Sequence, residues 1–157
     1  MKLTYKIIIL IVICLGIGFL GGFATQSSLT TWYLDIKKPS YNPPGWVFGP
    51  VWTFLYIAMA VAAALVWDKI NTNPLAKKAL VFFTIQLGLN LLWSFLFFGL
   101  QNPLLALIEI VLLLLFIYET YNLFSKIDKV AGYLFIPYLL WVSFATFLNA
   151  SIWWLNR

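Results

Sequence analysis

Histidine is absent from this 157-residue chain, cysteine occurs once, and charged residues make up only 10% of it. Each scarcity excludes something. Without His, a metal site would have to be assembled from one thiol and five scattered acids, so no metal is expected. Haem likewise cannot be held by an axial imidazole. The lone Cys14 forms no internal disulfide, and inside an apolar run its default role is packing. A water-facing domain carries about 25% charged residues, more than twice the share found here. No Ser-His-Asp set, carboxylate pair or Gly-rich phosphate loop is present, so conventional hydrolysis and phosphoryl transfer lack their parts. Residues 16–21 spell the dinucleotide pattern G-x-G-x-x-G, but no βαβ unit surrounds them and the match carries no meaning.

What is present is apolar: 63% of the chain. Five runs, at about residues 7–24, 46–67, 79–100, 103–124 and 130–154, each approach the roughly 20 residues that a helix needs to cross a bilayer. The expected fold is therefore an all-α integral membrane protein, a single five-helix bundle over residues 1–157 with the lipid bilayer as its surroundings. Short connections after the second, third and fourth runs predict antiparallel, adjacent neighbours.

The net charge of +5 does not indicate nucleic acid, because the basic residues stand singly or in pairs between apolar runs. They divide instead by side. Lys2, Lys6, Lys69, Lys77, Lys78, Lys126 and Lys129 lie on one, and Lys37, Lys38 and Arg157 on the other. The positive-inside rule then predicts a cytoplasmic N-terminus and an external C-terminus, and suits a bacterial cytoplasmic membrane. Residues 25–45 become the one long external loop. Its Trp32, Tyr33 and Tyr41, with Pro39, Pro43 and Pro44, predict an ordered excursion over the outer mouth.

Depth follows from helical rise. Trp52, Trp93 and Glu109 each lie about 9–10 Å inside the outer ends of their runs. Trp141 lies near the middle of the fifth run and Asn149 nearer its outer end. Helical spacing groups Gln86, Asn90 and Ser94 on one face, Trp141, Ala145 and Asn149 on another, and Trp52, Tyr56 and Met59 on a third. Polar residues so placed point into a bundle, where they either tie helices together or line a pocket. Trp67, Trp153 and Trp154 lie near run ends and read as interfacial anchors. Glu109, the one acid well inside a run, reads equally as a structural or a functional carboxyl. Gly18 and Gly22 form a G-x-x-x-G, suited to close helix approach within the bundle or between protomers.

One block is specific. Trp32-Tyr33-Leu34, Lys38-Pro39-Ser40, Pro43-Pro44, Phe48-Gly49-Pro50-Val51-Trp52-Thr53, Leu55-Tyr56 and Met59 resemble the signature of the TspO/MBR family, the tryptophan-rich sensory or translocator proteins. Asn90-Leu91-Leu92-Trp93 with Phe97-Phe98, and Pro137-Tyr138, Trp141, Phe144-Ala145 and Leu148-Asn149, extend the resemblance over essentially the whole chain. It implies a five-helix bundle, commonly a homodimer, that binds protoporphyrin IX and synthetic isoquinoline-carboxamide or benzodiazepine-type molecules beneath the first loop. Carried over by residue, Tyr33, Pro43, Trp52, Tyr56, Asn90, Trp93, Trp141, Phe144, Ala145 and Leu148 would line that site. Lys37 or Lys38 would meet the propionates. No covalently bound cofactor is implied. The sterol motif of animal members has no counterpart, because no Tyr follows Leu148, which argues against cholesterol.

Three functions remain open on this reading. One is a tetrapyrrole-binding receptor, carrier or scavenger. A second is degradation of protoporphyrin IX in light and oxygen, with Trp52 and Trp141 as oxidisable, catalytic rings. The third is a structural membrane protein with no small-molecule ligand.

Overall fold

The computed structural model describes all 157 residues, Met1–Arg157, and contains helices and turns only. Five helices are long and apolar enough to cross a membrane: α1 (Leu3–Leu29), α3 (Gly45–Trp67), α4 (Ala76–Ser94), α5 (Pro103–Ile127) and α6 (Lys129–Asn156). A sixth, α2 (Trp32–Asp35), is a single turn within the loop between α1 and α3. Five crossings place the two termini on opposite sides of the bundle.

Around the bundle the order is α1, α3, α6, α5, α4, with α4 returning to α1. The chain-order expectation thus holds for α4–α5 and α5–α6, while α3 packs chiefly on α1 and α6 rather than on α4. Composition explains the difference. Ala60, Ala62, Ala63 and Ala64 of α3 are fully buried, and side chains this small let neighbouring backbones close in on several sides. The eight-residue connection from Asp68 to Leu75 is long enough to let α4 stand apart from α3.

Local sequence sets the helix ends. Asn102 caps α5 by accepting from the Leu105 N–H at 3.1 Å, and Pro103 occupies the first turn, where its missing N–H costs nothing. Asp128 caps α6 by accepting from the Val130 and Ala131 N–H groups at 2.8 and 3.2 Å. The same carboxylate pairs with Lys69 at 2.9 Å, and Lys6 pairs with Asp68 at 2.9 Å, so two ion pairs clamp the end of the bundle that carries the N-terminus.

At the opposite end α4 widens into a π turn over Phe95–Gly99, closed by the Leu100 N–H on the Phe95 carbonyl at 2.8 Å. The extra residue re-aims the side chains that follow it. Phe97 becomes buried and meets Trp32 at 5.6 Å between ring centroids, so the loop docks on the end of α4. The loop is shorter than the expected 25–45, because α1 continues to Leu29. Its far side is latched to α6. Asn156 accepts from the Lys37 N–H at 2.9 Å and donates to the Lys37 carbonyl at 2.8 Å. The Tyr41 ring stacks on Phe147 at 5.3 Å, and its hydroxyl shares a hydrogen bond with Ser151.

Candidate ligand-binding cavity

Beneath the latched loop lies a cavity of about 320 Å³, walled by α1, α3, α4, α5 and α6 and roofed by Tyr33 and Asn42. That volume stands at the lower end of the roughly 300–1,000 Å³ common for small-molecule sites. The wall is mostly apolar, with rings from three helices facing one space: Phe48 and Trp52 on α3, Trp93 and Phe97 on α4 and its π turn, and Trp141 on α6.

These rings are held by one another and by side chains behind the wall. Trp52 lies 5.5 Å from Tyr56 and 6.3 Å from Tyr138. Trp141 meets Phe48 edge-on at 6.1 Å and rests against Phe144 at 5.8 Å. Trp93 stacks on Phe97 at 5.0 Å, and its indole N–H donates to Asn149 Oδ1 at 2.9 Å. Each ring presents an apolar face, while the polar atoms of Trp93 and the tyrosines are directed into the protein.

The floor is a chain of hydrogen bonds across three helices. The Tyr56 hydroxyl donates to Asn90 Oδ1 at 2.8 Å, and Asn90 Nδ2 donates to the Tyr138 hydroxyl at 2.8 Å. Tyr138 then donates to Gln86 Oε1 at 2.6 Å. In lipid, where apolar burial does not distinguish helix from solvent, such bonds and close packing hold helices together. Gln86 Nε2 and both carboxyl oxygens of Glu109 are buried without a partner. Glu109 lies outside the cavity wall, although Ile110 and Leu113 of the same helix are in it.

Eight of the ten side chains expected around a ligand are in the wall: Tyr33, Trp52, Tyr56, Asn90, Trp93, Trp141, Ala145 and Leu148. Pro43 is not, and Phe144 stands behind Trp141. Lys37 and Lys38 also lie outside the wall. Lys38 Nζ donates to the Tyr33 and Ile36 carbonyls at 2.5 and 3.1 Å and sits 4.7 Å above the Tyr33 ring. The Lys37 side chain is exposed. At the roof, burial pushes the Tyr33 hydroxyl above its usual pKa, and a hydrogen bond with Asn42, whose Nδ2 donates at 3.2 Å, partly offsets the rise. Tyr33 is therefore neutral at any physiological pH.

Sequence reasoning missed Asn42, Phe48 and the contribution of α1. That helix lines the cavity with Gly18, Gly21, Gly22, Thr25 and Leu29. Gly18 and Gly21 make close approaches within the protomer. A Cβ on Gly18 would fall 2.7 Å from Tyr56 Cε2, and one on Gly21 3.1 Å from Ser94 Oγ. The glycine spacing was visible in the sequence, but the surface it would meet was not.

No group of three or more His, Cys, Asp or Glu side chains lies together. What the cavity offers a ligand is ring stacking, apolar contact and a few amide or hydroxyl dipoles. The family model described as TspO/MBR family matches residues 10–155. The tryptophan-rich protein TspO of Chlorobaculum tepidum is 47% identical over 148 residues, covering 92% of this chain and 91% of that relative. The protein of the same name from Archaeoglobus fulgidus is 44% identical over 151 residues, covering 96% and 97%. The Homo sapiens translocator protein is 36% identical over 138 residues, covering 86% and 80%.

Proposed function

The chain belongs to the TspO/MBR family of membrane proteins, and from that premise we propose that its cavity binds protoporphyrin IX and similar planar aromatic molecules. On this reading the protein acts as a tetrapyrrole receptor, carrier or scavenger. The observation that supports it most is the shape and lining of the cavity: Trp52, Trp93 and Trp141 from three different helices face one apolar space. Flat π systems pack well against indole faces, in offset-stacked or edge-on contact. With no imidazole in the chain, the macrocycle is held by stacking rather than through a metal, which favours the metal-free form.

The exposed Lys37 is the group free to meet a propionate, because the Lys38 ammonium is already bonded to loop carbonyls. With the lysine-rich end taken as cytoplasmic, the cavity lies toward the outer face of a bacterial cytoplasmic membrane. The reading includes a homodimer and assigns no cholesterol site.

The test is quenching of tryptophan fluorescence in the purified protein by protoporphyrin IX in the dark. Saturable quenching at micromolar ligand, weakened by Trp52→Ala or Trp141→Ala, is expected. Quenching that never saturates and is unchanged in both variants would remove the tetrapyrrole from this cavity.

A further inference from the structure

The cavity has two sides open to an entering ligand, one toward water and one toward lipid, and the structure treats them differently. Toward water, the loop is fastened at three places: Trp32 on Phe97, Tyr41 on Ser151 and Phe147, and Asn156 on both backbone groups of Lys37. Toward lipid, along the seam between α1 and α3, the wall is thin. Gly18 of α1 packs on the Tyr56 ring of α3. Beyond that contact α1 contributes Gly22, Thr25 and Leu29 to the cavity wall, and α3 contributes Gly45, Gly49 and Trp52.

Gly22, Gly45 and Gly49 all line the cavity and all are exposed. None is required by the fold. No glycine here has a positive φ, and a Cβ at any of these three would meet nothing within 4 Å. Glycine within a helix costs about 0.5–1 kcal/mol relative to alanine, so Gly22 and Gly49, both inside their helices, need another reason. Two further features bear on this stretch. Pro50 lacks the N–H that would bond the first turn of α3, which leaves that turn less firmly held. The Thr25 hydroxyl is turned back onto the Gly21 carbonyl at 2.8 Å, which leaves its methyl group for the seam. Outside the seam a second, shallower depression includes Phe19, Phe23 and Gln26, and it shares Gly22, Thr25 and Leu29 with the cavity.

We propose that this glycine-walled seam between α1 and α3 is a lateral portal, through which an uncharged or weakly polar planar molecule dissolved in the bilayer slides edge-on into the cavity. The portal deepens the ligand-binding reading above and rests on the same cavity, but it concerns the route rather than the ligand. Phe19 and Phe23, whose rings meet at 5.0 Å on the lipid side, form its outer rim. The portal selects for flatness, since a molecule passing between helix backbones at glycines needs little thickness. It also selects for lipid solubility, since the approach is from hydrocarbon.

The experiment needs no tetrapyrrole, so its outcome is independent of the quenching assay. A cavity thiol is introduced by Ala145→Cys in a Cys14→Ala background, and the protein is placed in lipid nanodiscs with both faces open to solvent. An uncharged pyrene maleimide, which partitions into lipid, is expected to label it at least tenfold faster than a sulfonated maleimide confined to water. Adding Gly22→Phe should cut the pyrene maleimide rate about tenfold. Gly88→Phe, on an exposed glycine of α4 away from the cavity, should leave it unchanged and control for folding and lipid packing. Comparable rates for the two reagents, or a rate that survives Gly22→Phe and rises when the latch is cut by Tyr41→Ala, would overturn the portal and assign entry to the loop. Failure of protoporphyrin IX to quench wild-type fluorescence, with the labelling pattern intact, would instead overturn the ligand and keep the route.

Discussion

Trp93 and Asn149 are joined by a 2.9 Å hydrogen bond from the indole N–H to Oδ1, and the same Asn149 donates through Nδ2 to the Pro103 carbonyl at 2.8 Å. One amide therefore ties α4, α6 and the first turn of α5 together directly beneath the loop. Trp93 has two functions at once, as a cavity wall on its face and a helix tie at its edge. This resolves a choice that depth alone left open, between pocket lining and core packing.

Replacing Asn149 separates the two. Asn149→Ala leaves the half-buried indole N–H of Trp93 without its partner and cuts the tie to the first turn of α5, and should cost about 1–2 kcal/mol. A lower thermal midpoint in detergent, with a shifted tryptophan emission, is the expected result. An unchanged midpoint would show that water or a lipid headgroup satisfies the indole N–H.

Glycines on the same helix should respond oppositely according to what they face. Gly18→Leu would drive its side chain into the Tyr56 ring, displace the Tyr56–Asn90 bond and destabilise by about 1–3 kcal/mol. Gly16→Ala, with open space around it, should leave the midpoint equal or higher. Equal losses at both positions would contradict the packing described.

The clamp at the N-terminal end should titrate. The hydrogen bond from Lys69 and the two backbone donors of α6 hold the Asp128 carboxyl below its ordinary value, against a smaller opposing effect of burial. A depressed pKa means stability that is fully present above about pH 4, the unfolded aspartate value, and is lost as pH falls through the depressed folded value. Unfolding curves at successively lower pH should show wild type losing stability while Asp128→Asn, which keeps a capping oxygen but no ion pair, changes less. The two should converge in acid. Parallel curves would mean that other acids control the acid response.

Charge at the mouth can be read by comparing ligands. If Lys37 meets a propionate, Lys37→Ala should weaken protoporphyrin IX several-fold at low salt and leave its dimethyl ester unaffected, because an exposed pair contributes about 0–1 kcal/mol and is screened. Equal weakening of both ligands would assign Lys37 to the loop structure instead.

Trp52 decides between binding and turnover. Its ring lies within 6.3 Å of Tyr138 and closer to Tyr56, both oxidisable. If light- and oxygen-dependent porphyrin degradation occurs, Trp52→Phe should retain dark quenching while product formation in light falls by tenfold or more. Product formation at the wild-type rate would exclude Trp52 from the chemistry.

Hydropathy and residue spacing by themselves determined that the chain crosses a membrane five times, that Trp52, Trp93 and Trp141 lie deep, and that Asn90 and Asn149 point inward. These are local properties: length, composition and a 3.6-residue period act within one helix and need no partner to be read. Motif resemblance supplied the family and most of the cavity wall. Only the tertiary structure decided that α3 packs on α1 and α6 in preference to α4, that Phe97 is turned inward by a π turn, and that Lys38 is held by loop carbonyls. It also decided that Gly18 meets Tyr56 while Gly22 meets nothing. Each of these depends on the register and rotation of one helix against another. That is set by side-chain packing and interhelical hydrogen bonds in a medium with no hydrophobic preference between helix and solvent. Two glycines four residues apart look alike along the chain; what each one faces belongs to the helix opposite.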